Sequence, residues 1–450
     1  MSSRIGWIIF LVGLIEVSVA ASAVLGGDAA TGYRLITEKP YLPPDFDQEI
    51  FDRLWETWDD PQREEAQRAD IATRRRLTMR QYGLTPRPND HLARPLQYVV
   101  TADGQYSMNC FACHGGEVNG ATYPGAPNSR YALEQLTRDV RLTKLKLGKP
   151  LSHMDLGSLF MPLGSTRGTT NAVMFGVALL ANRDVDLQLL PRRLPPPMTH
   201  HDMDAPPWWH VQRKQKLYID GFAPQGHRPL MQFMLVEQNS AEDFQSWEED
   251  FEHVEAYIRS LQPPAYPGAV DTKLADEGQH VFNRSCAECH GTYGAEPSYP
   301  ERRVDWSEIR TDRVRLDALT TVDRQRYAES WFAVGHADEV ECAPSGYVAP
   351  PLDGIWASAP YLHNGSVPTL WHLLHPTERP PLWRRLPGSD DARVGCRFEA
   401  YEQVPDKVSR RERYEFFDTS QFGKSAAGHD FVDRLSEIEK RQVLEYLKTL

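Results

Sequence analysis

The chain has 450 residues, of which 41% are hydrophobic and 25% are charged, so it is long enough for two or three domains with separate cores. Its formal net charge of −12 argues against a nucleic-acid partner, because phosphate binding requires a basic surface. The 34 prolines and the low mean hydropathy predict many irregular loops.

The N-terminus has the pattern of a secretory signal. Arg4 supplies a positive charge, residues 5–15 are almost wholly apolar, and Ala21-Ser22-Ala23 is a suitable cleavage site. We therefore predict a signal peptide at residues 1–23, with an uncleaved anchor as the alternative. No later segment is apolar for long enough to cross a bilayer, so we expect no stable membrane insertion and a periplasmic or secreted location.

Residues 24–95 carry no cofactor motif and are predicted to form an N-terminal helical extension that packs on the domain after it. Within it, Asp45 is predicted to cap a helix that runs through Trp58. The apolar residues of that helix follow helical spacing: Ile50, Phe51, Leu54, Trp55 and Trp58.

Two pentapeptides, at residues 110–114 and 286–290, have the form Cys-x-x-Cys-His. Two thiols about one helical turn apart can each add to a vinyl group of one porphyrin, and the adjoining imidazole can then ligate the iron. One copy could be chance or a redox dithiol, but two copies, each followed by glycine, argue against both. We predict two covalently bound c-type haems, attached through Cys110, Cys113, Cys286 and Cys289 and ligated by His114 and His290.

The other two cysteines, Cys342 and Cys396, lie outside these motifs. In an oxidising compartment they could pair, and two free thiols are the alternative.

The clearest predicted helix begins at Ser240, where Asp243 completes a capping box. Its apolar stripe consists of Phe244, Trp247, Phe251, Val254, Ile258 and Leu261, and Pro263-Pro264 ends it. We therefore predict a first haem domain at residues 96–262 and a second at 263–450. The second begins with a helix that leads into Cys286, and ends with one capped by Ser436 and Glu439, with Ile438, Val443, Leu444, Leu447 and Leu450 on its inner side.

The two halves have the features of a duplication. Residues 206–221 and 350–365 have equal length, and each runs from an Ala-Pro-Pro segment to a glycine. When they are superimposed, His363 falls opposite Ile219. Two identical electron carriers have no need of this difference, whereas an enzyme with one relay haem and one reactive haem does.

The segment from Pro350 to Leu370, which contains Ala-Pro-Tyr-Leu-His-Asn-Gly-Ser, resembles the bacterial di-haem cytochrome c peroxidase superfamily. Residues 109–116 and 428–431 are most similar to its rubber-oxygenase-like branch. The resemblance covers roughly residues 40–450. It implies a mainly α fold with two cytochrome c-like haem domains and long irregular loops. It also implies one haem that can open to peroxide or oxygen and one six-coordinate haem for electron entry.

The chain departs from the peroxidases in its axial ligands. No methionine follows Met234, which favours a histidine or an open position on the second iron over the methionine ligand of the classical peroxidases. His429 ranks first and His363 second as its sixth ligand, with supporting or surface roles as the alternative, and His372 and His375 are weaker candidates. For the first iron the resemblance implies that Phe233 walls an open apolar pocket, unless it is ordinary core. Other residues in that half are Met154, Met161, Met174, His153, His200, His201 and His210.

The first hypothesis is an oxidoreductase that takes electrons from a small redox protein at the His290 haem and reduces peroxide at the His114 haem, with Phe233 and His363 as catalytic candidates. Its acid is expected among Glu117, Asp155, Asp202 and Asp204, and Trp208, Trp209 or Trp356 could assist electron transfer between the haems. The alternatives are an electron-transfer cytochrome with two closed haems and an oxygenase that cleaves an apolar polyene with O2.

Overall fold

The computed structural model describes residues 27–191 and 196–450, so the predicted signal peptide lies outside the described residues. Within those ranges the chain is mainly helical, with short strands between the helices. None of the helices there has both the length and the apolar character needed to cross a membrane.

The helices of the first half are separated by long connections. Their bounds are α1 (Ala29–Glu38), α2 (Gln48–Arg53), α3 (Gln62–Arg68), α4 (Ile71–Tyr82), α5 (Phe111–His114), α6 (Leu133–Leu147), α7 (His153–Phe160), α8 (Ala172–Leu180), α9 (His227–Leu230), α10 (Ala241–Ser246) and α11 (Glu248–Ser260). Those of the second half are α12 (Thr272–Ser285), α13 (Ala287–His290), α14 (Trp306–Ile309), α15 (Val314–Ala318), α16 (Thr321–Glu329), α17 (Leu370–Leu374), α18 (Arg410–Arg413) and α19 (Glu437–Leu447).

The strands pair antiparallel in small sheets. The first half has β1 (Phe46–Asp47), β2 (Tyr98–Val100), β3 (Gln105–Met108), β4 (Glu117–Val118), β5 (Ala121–Thr122), β6 (Thr169–Thr170), β7 (Met203–Asp204), β8 (Lys216–Leu217) and β9 (Ala223–Pro224). The second half has β10 (Arg303–Asp305), β11 (Gly346–Val348), β12 (Leu382–Asp390), β13 (Gly395–Ala400) and β14 (Phe416–Asp418). The hairpin β12–β13 is not foreseen in the sequence.

In each half of the chain, the first α-helix packs on the last. Helix α1 packs on α11, and α12 packs on α19. A glycine lies at each contact: a Cβ at Gly32 would lie 2.1 Å from the carbonyl oxygen of His253, and one at Gly278 would lie 2.0 Å from that of Gln442. In both pairs the helix backbones therefore approach more closely than any side chain allows.

Replacing Gly278 with alanine is expected to lower the free energy of unfolding of the second half by about 1–3 kcal/mol, because the added methyl must push α12 away from α19. Gly157→Ala is the matched control. Gly157 lies within α7, and a Cβ there would meet only the ring of Phe175 at 3.8 Å. Chemical denaturation should show destabilisation for Gly278→Ala and unchanged or slightly higher stability for the control. Equal stability for the two variants would contradict the close contact.

Three large clusters of buried side chains form the core. One joins α2, α4 and α6 to the strands β1–β3, so the N-terminal extension packs on the first haem segment. A second surrounds α12, α17 and α19. The third contains α1, α10 and α11 but also takes up Leu319, Tyr327, Phe332 and Val340 from the second half of the sequence. The connection between β10 and β11 thus packs on the first half.

The duplication is visible in the backbone. Tyr218 and Leu362 share a positive φ (66° and 63°), as do Gly221 and Gly365 (61° and 72°), so the two loops turn in the same way. Each loop binds the opposite half: the Val348 amide donates to the Ile219 carbonyl at 2.6 Å, and the Asp204 amide donates to the His363 carbonyl at 3.0 Å. Since Val348 and Asp204 each stand two residues before the equivalent prolines, the two contacts are reciprocal.

Several helix predictions are confirmed. Ser240 and Ser436 form capping boxes with Asp243 and Glu439, and Asp271 caps the helix that leads into Cys286. Others are wrong. Asp47, not Asp45, caps α2, because residues 46–47 pair as β1 with β3 and the helix begins only after them, with the Asp47 carboxylate accepting from the Ile50 amide. The α-helix ends at Arg53, and a 3-10 turn follows from Leu54 to Thr57. The helix after Ser240 breaks at Trp247 into α10 and α11, and Ile438 is 62% exposed rather than internal.

Candidate haem-binding sites

Both pentapeptides fold into one short helical turn, α5 and α13, that begins directly after the first cysteine. A helix places residues three apart on one face, so Cys110 and Cys113, and likewise Cys286 and Cys289, present their thiols on the same side. In the first half the Cys113 thiol lies beside the Thr170 hydroxyl and near the carboxyl group of Asp204.

The two histidines of the motifs are oriented in the same way. The Nδ1 atom of His114 lies 3.0 Å from the carbonyl oxygen of Pro206, and Nδ1 of His290 lies 2.8 Å from that of Pro350. A carbonyl only accepts, so Nδ1 donates in both rings and the lone pair is on Nε2. Burial lowers the pKa of His114 to about 4 and also lowers that of His290, which keeps both imidazoles neutral and able to ligate a metal.

The imidazole of His429 lies next to that of His290, with the ring planes tilted by 59°. The centres of the two imidazole rings are 6.2 Å apart, and burial lowers the pKa of His429 to about 3. A bond between an imidazole nitrogen and a transition metal is about 2 Å long, and the nitrogen lies roughly 1 Å from its ring centre. Two imidazoles that ligate one ion from opposite sides therefore have centres about 6 Å apart, as observed here. These residues fit an iron with two histidine ligands.

His363, the second-ranked ligand, lies elsewhere. Its ring packs on Tyr347 with the centres 4.6 Å apart, and its titratable neighbours at the junction of the halves are Arg315, His201 and Asp220. Its catalytic role stays a prediction. The ring of His372 shares a hydrogen bond with the Thr369 hydroxyl, and that of His375 shares one with the Glu437 carboxylate. Contacts within the second half therefore hold both rings in place.

The first half offers no equivalent of His429 among the residues the structure brings near His114. The ring of His114 stacks on Trp208, with centres 4.7 Å apart and planes 23° apart. The candidates named from the sequence have other neighbours. His153 lies beside Asp45, His200 bonds to Asn171, His201 to the Thr199 carbonyl and His210 to the Asp353 carbonyl, Met154 lines a cavity with Asp45, and Met161 and Met174 lie in a small apolar cluster. Phe233 lies in a 3-10 turn and is 39% exposed between the buried Gln232 and Met234.

The four candidate acids differ in what binds them. Glu117 is exposed on β4. Asp155 is paired with Lys144, and Asp202 accepts from Ser165 and Thr169. Asp204 is partly buried, its Oδ1 is buried without a hydrogen-bond partner, and burial raises its pKa well above the ordinary range, although Arg385 opposes this shift. It is the one candidate poised to hold a proton beside the first motif.

The segment 208–210 links the two motifs. Trp208 contacts His114, while the Trp209 indole N–H donates to the carbonyl of Asp353 at 2.7 Å. His210 Nε2 donates to the same oxygen at 2.8 Å. Asp353 follows three residues after Pro350, the partner of His290, so one short stretch of chain connects the surroundings of both histidines. Trp356, by contrast, donates to the Pro264 carbonyl and packs on Tyr266.

Cys342 and Cys396 form no disulfide, and both are free thiols. Cys396 is buried in the second half near Arg385 and Asp204, whereas Cys342 packs against the core of the first half. Sequence reasoning left this question open.

Comparison with known proteins gives two family matches. Residues 346–384 match the family described as RoxA-like, cytochrome c-like, and residues 273–325 match the one described as cytochrome C oxidase, cbb3-type, subunit III. The second match covers α12, α13 and the Cys-x-x-Cys-His motif of that half, and the first covers the Pro350 carbonyl and the His363 loop.

Two curated relatives come from Sinorhizobium fredii (strain NBRC 101917 / NGR234). The chain is 31% identical to uncharacterized protein y4iM over 235 residues, which cover 43% of this chain and 52% of that protein. It is 31% identical to uncharacterized protein y4iJ over 257 residues, covering 42% and 41%. The chain thus spans about half the length of the relatives it matches, or less. The cytochrome c-type matches imply covalently bound c-type haem, and they support the cytochrome c family for this chain.

Proposed function

We propose that the protein is an exported di-haem oxidoreductase. The haem at His290 relays electrons to the haem at His114, which reduces hydrogen peroxide. The observation that carries the proposal is the inequality of the two sites. His290 has a facing imidazole, His429, at the separation expected for two axial ligands, whereas the apolar Phe233 is the residue proposed for the corresponding side at His114. A pure electron carrier has no reason to leave one iron open.

Different residues of the chain have different proposed roles at the two haem sites. A c-type haem, when bound, supplies the iron that exchanges electrons and reacts with peroxide. His114 and His290 would ligate the iron through Nε2, because the Pro206 and Pro350 carbonyls fix the tautomer that leaves the Nε2 lone pair free. His429 would supply the second ligand at the His290 site. Phe233 would give the first site an apolar wall, and Asp204, whose pKa burial raises well above the ordinary range, would hold and donate a proton there.

The test is a peroxide titration of the purified, fully reduced protein under anaerobic conditions. The mass of the mature chain should first show two covalent haems. We then expect peroxide to oxidise both haems, and carbon monoxide or cyanide to perturb the spectrum of one haem only. Two haems that are low-spin and inert to peroxide in both redox states would instead support the electron-shuttle alternative. The electron donor is proposed to be a small redox protein.

Trp208→Leu is expected to slow electron transfer between the two haems by about tenfold, or about 1.4 kcal/mol in activation free energy, because the indole that packs on His114 is lost. Trp356→Leu is the control, since Trp356 is also a buried tryptophan but contacts Pro264 and Tyr266. Flash photolysis of the half-reduced protein measures the rate. Equal slowing in both variants would assign the effect to loss of packing.

The second candidate function is oxygenase cleavage of an apolar polyene with O2 at the first haem. It is favoured by the match of residues 346–384 to the RoxA-like family and by the apolar Phe233. It predicts oxygen consumption with polyisoprenoid substrates and a stable oxygen adduct in the protein as purified. Failure of a range of such substrates to consume oxygen would leave peroxide reduction as the proposal.

A further inference from the structure

A small cavity lies beside Cys110, the first of the predicted haem-attachment cysteines. Its wall also contains Lys39 and Tyr41, which follow directly after α1, and Phe251 from α11. The buried ring of Tyr41 packs on Phe251 and on Trp247, with the ring centres 5.0 Å and 5.2 Å apart, and the Cys110 thiol is a titratable neighbour of its hydroxyl. The fold therefore places a tyrosine at the point where the first haem would join the chain.

The hydroxyl of Tyr41 has a proton acceptor. It donates to Oδ2 of Asp250 at 3.0 Å, and Lys39 Nζ pairs with the same oxygen. The side chains of Asp250 and Lys39 are 20% and 43% exposed, so solvent reaches the pair. Burial raises the pKa of Tyr41 well above its ordinary value, and the Asp250 carboxylate adds to that shift. The phenol therefore keeps its proton until an electron leaves the ring, because only the oxidised ring is strongly acidic.

Tyr33 also packs against the first motif, but it has no such acceptor. Its ring centre lies 5.9 Å from that of Phe111, and its hydroxyl oxygen is buried with no hydrogen-bond partner among the residues that the structure describes. A phenol that loses an electron without passing on its proton remains a cation, which is costly in a buried place. Of these two tyrosines, Tyr41 is the one suited to give up an electron.

The reaction proposed above needs electrons that the haems do not always hold. One hydrogen peroxide takes up two electrons and two protons and gives two water molecules. A protein with both haems reduced supplies both electrons. A donor that delivers one electron at a time also produces protein with only one haem reduced, and such a protein lacks the second electron.

We propose that Tyr41 is a redox-active residue that supplies this second electron to the first haem site, with Asp250 as the acceptor of its proton. The inference rests on the proposed function. In this step the O–H bond of Tyr41 breaks: the electron passes to the first haem site and the proton to Oδ2 of Asp250, which leaves a neutral tyrosyl radical. The reduced haem gives the other electron, and Asp204 and solvent give the two protons that form water. Tyr41 is restored when it takes one electron from the external donor and the proton back from Asp250.

The test uses the holoprotein, reduced by titration with dithionite to a single electron per molecule and mixed with an equal amount of peroxide under anaerobic conditions. Samples frozen within milliseconds are examined by electron paramagnetic resonance. A parallel sample is mixed with a nitroso spin trap, digested and mapped by mass spectrometry. We expect a protein radical in the wild type and a spin-trap adduct on Tyr41. Ring-deuterated tyrosine should narrow the radical signal, whereas ring-deuterated tryptophan should leave it unchanged.

Tyr41→Phe keeps the ring but removes the O–H group, so the tyrosyl signal should be lost. Tyr33→Phe is the matched control, because it removes an unpartnered hydroxyl near the same motif and should keep the signal. Asp250→Asn keeps the phenol but removes the proton acceptor, so the radical yield should fall about tenfold or more. Asp250→Glu retains a carboxylate and should restore part of the signal, which a loss of packing alone does not explain.

A folded Tyr41→Phe protein with two haems by mass and an undiminished tyrosyl signal would overturn the proposal. A wild type whose reduced haem is oxidised by peroxide without a protein radical, or with a spin-trap adduct only on another residue, would overturn it as well. If Tyr41→Phe does not fold, the adduct in the wild type and the two Asp250 variants still decide. A reduced protein that peroxide does not oxidise would overturn the proposed function instead.

Discussion

Replacing His429 with alanine is expected to convert the second haem from a six-coordinate, low-spin centre into one that is high-spin and binds carbon monoxide. The imidazole of His429 lies 6.2 Å from that of His290, ring centre to ring centre, and it is the described side chain placed to complete the coordination. Because the attachment cysteines are untouched, the haem content should not change. Peroxide turnover supported by an external donor should fall at least tenfold, as the entry site loses its low-spin character.

His363→Ala is the matched control, since both histidines are buried and lie in loops of the second half. Electronic absorption and electron paramagnetic resonance spectra of the ferric proteins give the readout. A low-spin second haem in His429→Ala, together with a high-spin one in His363→Ala, would reverse the assignment of the sixth ligand. Exogenous imidazole should restore the low-spin signal of His429→Ala, which separates loss of a ligand from misfolding.

Asp204→Asn is expected to lower the rate of peroxide reduction by about 10²- to 10⁴-fold, the range that loss of a positioned general acid usually gives. Asp204 has a buried, free Oδ1 near the first motif, and burial raises its pKa well above the ordinary range, which favours the protonated carboxyl. An amide of the same shape occupies the site but supplies no proton. Stopped-flow mixing of the reduced protein with peroxide measures the effect.

Glu117→Gln removes a candidate carboxyl that is exposed and should leave the rate unchanged. The sign of the pH dependence gives a second check. Since the protonated form of Asp204 is the active one, the wild-type rate should fall as the pH rises through its raised pKa, and Asp204→Asn should lose that dependence. A variant with the wild-type rate and pH profile would remove Asp204 from the proton path but would leave the haem assignment intact.

The reciprocal contacts between the halves explain why a duplicated chain can hold two different sites. Each proximal proline is positioned by a loop from the other half, through the Ile219 and His363 carbonyls. That frame depends on backbone hydrogen bonds, so it tolerates different side chains at the equivalent positions. Ile219 and His363 differ, as do Asp220 and Asn364, and the side chains of the second pair bind different segments. The backbone hydrogen bonds are therefore equivalent in the two halves, whereas the side chains at equivalent positions differ.

Local sequence signals predicted the parts of the structure that depend on neighbouring residues. The capping boxes at Ser240 and Ser436 satisfy the helix N-terminus within four residues of chain, and both are confirmed. The pentapeptides predicted which thiols lie on one helical face. By contrast, the cap prediction at Asp45 was wrong because residues 46–47 pair with the distant strand β3, and the helix begins only after them. No local sequence pattern predicts a pairing with so distant a segment.

The sequence by itself predicted the haem-attachment residues, the helices capped at Ser240 and Ser436 and the lack of any methionine after Met234, because each of these follows from residue type and short spacing. Only the tertiary structure decided that His429 rather than His363 lies beside His290, that Asp204 among the four candidate acids has a raised pKa near the first motif, and that Arg315 and Arg324 share one aspartate. Those facts depend on which distant segments of the chain meet. The free energy of that packing comes from the whole core, so no single stretch of sequence predicts it.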